Sequence, residues 1–244
     1  MSAALARVSL LIIATTLQSL SVIPPNPTPD DAHQERFHKP PGTSTSPNID
    51  TGRAGGGPNL KGWTRPKEDQ MGSRITTFYL PYAFTAFIWI LVILEVPRSF
   101  GHEDPLNHRL VLGTLLTTFA ALLRLYSFRS LGHLFTYQLA ILPSHTLMTT
   151  GPYAYIRHPS YVAIPFTAIG WMLSSTAQGT VLCERFGKSS MDRVVFINMT
   201  GMLYVCWQLA KRAVVEDQVL KKEFGKEWEE WARVVKYRFI PGLC

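Results

Sequence analysis

The sequence predicts an all-α protein, a polytopic membrane bundle of four to five transmembrane helices followed by a C-terminal amphipathic helical tail. Three observations carry this expectation. Hydrophobic residues make up 46% of the 244 and charged residues only 17%, against about 25% charged in an average soluble domain. The apolar residues gather into runs approaching the roughly 20 helical residues that cross about 30 Å of hydrocarbon. After the last run the chain becomes charged, with apolar positions recurring at helical spacing.

Residues 1–23 form the first element. Their apolar stretch, 5–23, is broken only by Arg7 and a few hydroxyl and amide side chains, so it reads as an N-terminal membrane helix or as a secretory signal with one basic residue before its core. Residues 24–74 are dense in Pro, Gly, Ser, Thr and Asn and bury too little apolar surface to offset their ordering entropy, which predicts a disordered loop. Transmembrane helices then fill 75–130. One covers 75–96, with Pro97 closing it and Glu95 at the edge, where a charge costs little. The next covers 106–126, with its charged residues near the two ends, where they can snorkel to the interface.

Residues 131–244 carry the chemistry. Two shorter apolar stretches, 161–178 and 194–210, contain Gly and hydroxyl residues and read as a helical hairpin packed through small side chains, joined by a polar connection at 179–193. In the tail, Val215, Val219, Leu220 and Phe224 share a helical face, Gly225 permits a break, and a second short helix carries Trp228, Trp231 and Val235. Such a tail lies on the membrane surface or folds over the hairpin.

The formal charge is +7, and the basic residues lie between or after the apolar runs, as headgroup anchors do, with no nucleic-acid-like patch. Three arginines and no acidic residue fall within 124–157, and eight Lys or Arg follow Ala210. The positive-inside rule places both regions on the cytosolic side. Three widely separated cysteines, Cys183, Cys206 and Cys244, support neither a disulfide framework nor a metal site.

The most informative stretch is HTLMTTGPYAYIRHPSYVA, residues 145–163. Arg157 and His158 stand immediately before Pro159, which can occupy the first turn of a membrane helix, so a cation-bearing turn with free backbone donors sits at the interface. Tyr153, Tyr155 and Tyr161 beside an Arg157 that meets lipid phosphate would also make a simple interfacial anchor, and spacing alone leaves both readings open. Arg212 and Glu216, four residues apart, share one helical face beyond the last span; in isolation they make an ordinary exposed ion pair. If the hairpin closes, however, the His158 turn and the Arg212–Glu216 face meet on the same side of the membrane and enclose a single cavity.

GPYAYIRHPSY, then a hairpin, then R-x3-E-D-x6-FGKEWEEWARVVKYRFIPG, resembles the isoprenylcysteine carboxyl methyltransferase family over residues 131–243. The resemblance implies an S-adenosyl-L-methionine-dependent protein-S-isoprenylcysteine O-methyltransferase. Its cofactor would be held by Gln138, by His145, Thr146, Leu147 and Met148, by Tyr153, by His158, Pro159, Ser160 and Tyr161, and by Glu216. Arg212 would be the catalytic residue that binds the substrate carboxylate. The implied partners are prenylated protein C-termini and membrane lipid, with neither nucleic acid nor metal, and the implied setting is the endoplasmic reticulum membrane with the site facing the cytosol. Ala163, Asp217, Trp228 and Trp231 depart from the residues usual at those positions in that family. Phospholipid N-methyl transfer, NADPH-dependent sterol reduction and a non-enzymatic scaffold are the alternative readings.

Overall fold

The computed structural model describes residues 2–23, 25–26, 80–101, 106–135 and 146–242. The regular elements among them are helices: α1 (Ser2–Val22), α2 (Leu80–Gly101), α3 (His108–Leu131), α4 (Pro159–Ser175), α5 (Val181–Phe224) and α6 (Lys226–Val234), with 3₁₀ turns at Gly132–Leu134 and Gly151–Ala154. The loop expected over 24–74 lies outside the described residues apart from Pro25 and Asn26. Among the described residues two helices are long and apolar enough to cross a membrane, Ala3–Val22 and His108–Leu134, while the apolar part of α2, Tyr82–Pro97, is shorter.

The polarity of the bundle is inverted relative to a water-soluble one. Ile93 is 64% exposed and Phe196 72% exposed, while Ser21, Ser127, Ala120, Ala121 and Ala163 are completely buried. Outward Leu, Ile and Phe with small and hydroxyl residues inward is the distribution that apolar solvent selects, because helices there associate through close packing and not through burial of large side chains. The inward hydroxyls satisfy themselves locally: Thr114 donates to the Leu110 carbonyl, Thr117 to that of Gly113 and Ser127 to that of Leu123, at 2.9, 2.9 and 2.7 Å.

The bundle is built on α3, which packs along α4 and against α1, while α1 also contacts α2. Gly113 and Gly170 set the α3–α4 approach. A Cβ on Gly113 would lie 2.5 Å from the Gly170 carbonyl oxygen, and one on Gly170 would lie 2.7 Å from that of Gly113. Gly170→Ala is therefore expected to destabilise the fold by about 1–3 kcal/mol through overpacking, read as a lower unfolding temperature in detergent. Gly201→Ala, on a helix face with nothing within 4 Å, should leave it unchanged; equal behaviour of the two variants would contradict this packing.

Local signals set most boundaries. Asn107 caps α3, its side chain accepting from Arg109 N at 2.8 Å, and Pro159 opens α4 at its first position. Gly225, at φ 52°, separates α5 from α6, the break expected there.

Three expectations are corrected. Pro97 does not close its helix, since α2 runs on to Gly101. Residues 179–193 are not an extended connection: the turn after α4 is confined to 176–180, Thr180 caps α5, and the helix starts at Val181 and breaks only at Gly187, where φ is 69°. Glu95 is not at an edge where charge is cheap. It is buried and paired with Arg7, whose guanidinium also donates to the Gly179 carbonyl at 2.9 Å. The other Glu95 oxygen accepts from Val181 N at 2.9 Å. The Glu95 charge persists because both of its oxygens are matched by donors, although Arg7 Nε is buried without a hydrogen-bond partner.

Candidate active site

The hairpin of α4 and α5 brings its two ends together. At the head of α4, the His158 ring lies between two carboxylates of α5: its Nε2 is 3.2 Å from Asp217 Oδ1 and its Nδ1 is 3.4 Å from Glu216 Oε2. Glu216 Oε1 accepts from the Tyr161 hydroxyl at 2.5 Å and from Arg212 Nε at 2.9 Å. The Tyr161 and His158 rings stack with centroids 5.4 Å apart, and the Arg212 guanidinium lies 6.0 Å from the Tyr161 ring centre. Arg212 and Glu216 are thus one side of a network that reaches α4, and the reading of them as an isolated exposed ion pair does not hold.

The tail folds back onto this cluster. Backbone N–H groups of Arg157 and His158 donate to the carbonyls of Tyr237 and Arg238 at 3.0 and 2.9 Å. Trp231 Nε1 donates to the Tyr153 carbonyl at 3.2 Å. Tyr153, Trp231 and Val235 form a small core on which Leu131, Leu147, Met148 and Trp228 pack. The Trp228 Nε1 is buried without a hydrogen-bond partner.

Charge decides what the cluster can do. Burial works against a protonated His158, but hydrogen bonds and charge from Asp217 and Glu216 outweigh it, and its pKa is raised above 6.5. Burial likewise opposes the ionised Glu216, yet His158 and Arg212 outweigh it and hold its pKa at about 2. Tyr153 stays a neutral phenol because burial, and then the Glu216 charge, push its pKa up. With His158 protonated, four cations (Arg157, His158, Arg212, Arg238) face two carboxylates (Glu216, Asp217). An imidazolium donating from both ring nitrogens has no lone pair with which to act as a base, and the positive excess suits an anionic ligand.

Among the residues singled out from the sequence, His158, Tyr161, Arg212 and Glu216 meet directly, and Leu147, Met148 and Tyr153 form an apolar wall beside them. Pro159 is fully buried at the helix start, and Thr146 is exposed. Ser160 turns elsewhere, its Oγ accepting from Arg124 Nη1 at 3.3 Å. Gln138 and His145 lie outside the described residues. Sequence reasoning assigned no role to Asp217 or Arg238, which join at 2.8 Å; the one available signal was the adjacency of Asp217 to Glu216. Arg157 is held within the protein by Asp217 and tail carbonyls, so the lipid-anchor reading does not describe it. A cavity among the described residues lies away from this cluster, between α1, α2, α3, α4 and the start of α5, and is lined by residues including Gln18, Val92, Thr117, Thr167 and Trp171. The structure brings the two groups into direct contact; this cavity is not the one expected between them.

Together, fold and site define a membrane-type helical bundle carrying a cation–carboxylate cluster where two hairpin helices meet. The family model described as Isoprenylcysteine carboxyl methyltransferase (ICMT) family matches residues 111–186, so the resemblance carried by the motifs is shown over that segment. The match spans α3, the His158 turn, α4 and the start of α5; Arg212 and Glu216 lie beyond it. The Delta(14)-sterol reductase of Septoria lycopersici is 26% identical over 106 residues, 40% of this chain and 21% of the reductase. The chain thus spans about a fifth of the length of that relative. No solved structure matches the chain.

Proposed function

We propose that this chain transfers a methyl group from S-adenosyl-L-methionine to the C-terminal carboxylate of isoprenylated cysteine in CaaX-processed proteins, as a multi-pass protein of four to five spans. On this reading the first helix is retained, the compartment is the endoplasmic reticulum membrane and the site faces the cytosol. The observation that carries the proposal is the Glu216 network: one buried carboxylate joined to Tyr161 and His158 of the family-matched segment and to Arg212 of α5.

The residues present suit the cofactor. Leu147, Met148 and Tyr153 offer an apolar wall, Trp228 brings an unused indole donor beside it, and Glu216 is an ionised acceptor. Gln138, His145, Thr146, Pro159 and Tyr161 complete the proposed binding set, with Ser160, turned to Arg124, left outside it. The bound cofactor supplies an activated sulfonium methyl. A terminal carboxylate has a reference pKa of about 3.3–3.7 and is already the nucleophile at neutral pH, so no base is needed and a His158 held between Asp217 and Glu216 is no obstacle. The chain's task is to hold the acceptor oxygen in line with the methyl, an orientation effect of about 7–11 kcal/mol in favourable cases. Arg212 would clamp the carboxylate by charge-assisted hydrogen bonds, while the prenyl chain stays in the bilayer.

Arg212→Ala is expected to lower kcat/KM for a farnesylcysteine analogue roughly 10- to 100-fold, the worth of one charge-assisted bond of about 1.5–3 kcal/mol. The loss should appear in the acceptor terms, with cofactor affinity changing far less. Equal loss of cofactor binding would give Arg212 a different role.

Phospholipid N-methyl transfer fits less well, because the amine must be deprotonated before attack and neither His158 in its bridged state nor Arg212 can take that proton. The partial match to a sterol reductase favours one second reading, reduction of a sterol by NADPH. Radiolabelled methyl incorporation into a farnesylcysteine analogue and into phosphatidylethanolamine, beside NADPH oxidation with a sterol substrate, separates the three. Incorporation into the farnesylcysteine analogue is the expected result; NADPH oxidation without methyl transfer would overturn it.

A further inference from the structure

Asp217 is 3% exposed and has no part in the methyl-transfer chemistry proposed above, yet it has three charged or titratable partners, as many partners as Glu216. Its Oδ1 meets His158 Nε2 at 3.2 Å, and its Oδ2 takes Arg157 Nη1 at 3.1 Å and Arg238 Nε at 2.8 Å. These partners come from two places far apart in sequence: the turn before α4, and the strap of residues 235–240 that follows α6. Arg157 is itself bonded to that strap, its Nε donating to the Val235 carbonyl at 2.8 Å and its Nη2 to those of Lys236 and Ala232 at 3.1 and 3.4 Å. These carbonyls lie at and just beyond the C-terminal end of α6, where helix carbonyls lack internal partners and a cation is favoured.

We propose that Asp217 is a positioning residue that latches the C-terminal strap onto the turn before α4 and fixes the His158 ring so that its other nitrogen faces Glu216. An imidazole can rotate about its side-chain bonds. With Nε2 held by Asp217, Nδ1 is directed at Glu216 Oε2, 3.4 Å away. The same carboxylate holds Arg238 and Arg157, so strap docking and ring orientation depend on one group. Phe239, its ring centre 6.0 Å from that of His158, closes the strap side of the ring. The adjacent carboxylates thereby divide the work, Glu216 facing Tyr161 and Arg212 while Asp217 faces the strap.

The inference uses the cofactor reading of the site for its binding arm only, so the experiment has two arms on the full-length protein in detergent. Asp217→Asn is expected to raise amide hydrogen exchange at Arg157 and His158, whose N–H groups donate to the strap carbonyls of Tyr237 and Arg238, by about tenfold or more, as a charge-assisted latch is replaced by neutral contacts. It should weaken S-adenosylhomocysteine binding by about tenfold while leaving the KM for a farnesylcysteine analogue within about twofold, a split that general loosening would not give. His158 should titrate at lower pH in the variant, since the charges facing it are Asp217 and Glu216 from α5, Arg157 beside it and Arg238 from the strap, and one of the two anions is gone. Asp217→Glu should restore part of the affinity. Arg238→Gln removes the strap's end of the latch from a side chain 41% exposed, and should reproduce the exchange effect even if Asp217→Asn does not fold. Unchanged exchange at the Arg157 and His158 amides in Arg238→Gln and in any folded Asp217→Asn protein would overturn the proposal. Failure of the unaltered protein to bind S-adenosylhomocysteine would instead remove the cofactor reading, with the exchange arm still deciding the latch.

Discussion

Glu216→Gln is expected to weaken cofactor binding by about 100-fold or more and to reduce the acid sensitivity of the site to the part that Asp217 carries. The carboxylate faces Tyr161 at 2.5 Å, Arg212 at 2.9 Å and His158 at 3.4 Å, and hydrogen bonds to charged groups contribute about 1.5–3 kcal/mol each. A neutral amide keeps the shape but leaves Arg212 without its carboxylate and His158 with Asp217 alone, in a site where desolvation makes that expensive. The pH dependence follows from the direction of each shift. Glu216 is held at about 2, below its ordinary 4.5, so its contribution to stability is complete above pH 4.5 and is lost as pH falls towards 2. His158 is raised above 6.5, so its contribution is complete below pH 6.5 and fades as pH rises through its folded value. The site is therefore held most tightly between those limits. The stability advantage of the unaltered protein over Glu216→Gln, read from unfolding temperatures in detergent, should be full near pH 5 and shrink towards pH 2. An advantage independent of pH would contradict the assignment of charge.

The largest loss of stability is expected from Arg7→Ala. Arg7 and Glu95 form a buried pair that ties α1 to α2, and both reach the turn between α4 and α5 through Gly179 and Val181. Removing one member of a buried pair destabilises by about 3–5 kcal/mol, because the other charge is left without compensation. At about 2–4 °C per kcal/mol for a chain of this size, the unfolding temperature should fall by about 10 °C. Glu95→Ala should behave alike, and Arg7→Met with Glu95→Leu should recover much of the loss, since replacing both partners by apolar residues is often neutral. Single variants that melt like the unaltered protein would show that α1 does not depend on this contact. The same bonds favour reading the first segment as a retained helix: without it, Glu95 would lose Arg7, and Arg124 would lose the Ser21 carbonyl to which it donates at 2.8 Å.

The elements that sequence made legible are those with local causes. Pro159 and Gly225 mark boundaries by their place in a first helical turn or a positive φ, and the structure places them at helix ends; Asn107, which caps α3, falls inside the stretch read as helix over 106–126. The region before α5 was misread because hydropathy reports polarity and not conformation: Glu184 and Arg185 look like loop residues, but after the Thr180 cap they continue a helix exposed on that side. Glu95 was misplaced because its partner is 88 residues away, beyond any local window. In the site, His158, Tyr161, Arg212 and Glu216 were legible as two motifs that a closed hairpin must join. Arg238 was not, because nothing local says that the chain after α6 returns to the His158 turn. Ser160 shows the limit of a motif: it sits among site residues in sequence, yet its place on α4 turns it to Arg124.

The measurement that bears most directly on the account is the fate of the methyl group. Membranes containing the protein are supplied with S-adenosyl-L-methionine labelled on its methyl and a farnesylcysteine analogue, and the product is treated with base. A carboxyl methyl ester releases its label as volatile methanol, and an N-methyl product does not. The account predicts base-labile label with the unaltered protein and a deep loss of it in Glu216→Gln and Arg212→Ala. Label that resists base, or undiminished ester formation in both variants, would contradict it.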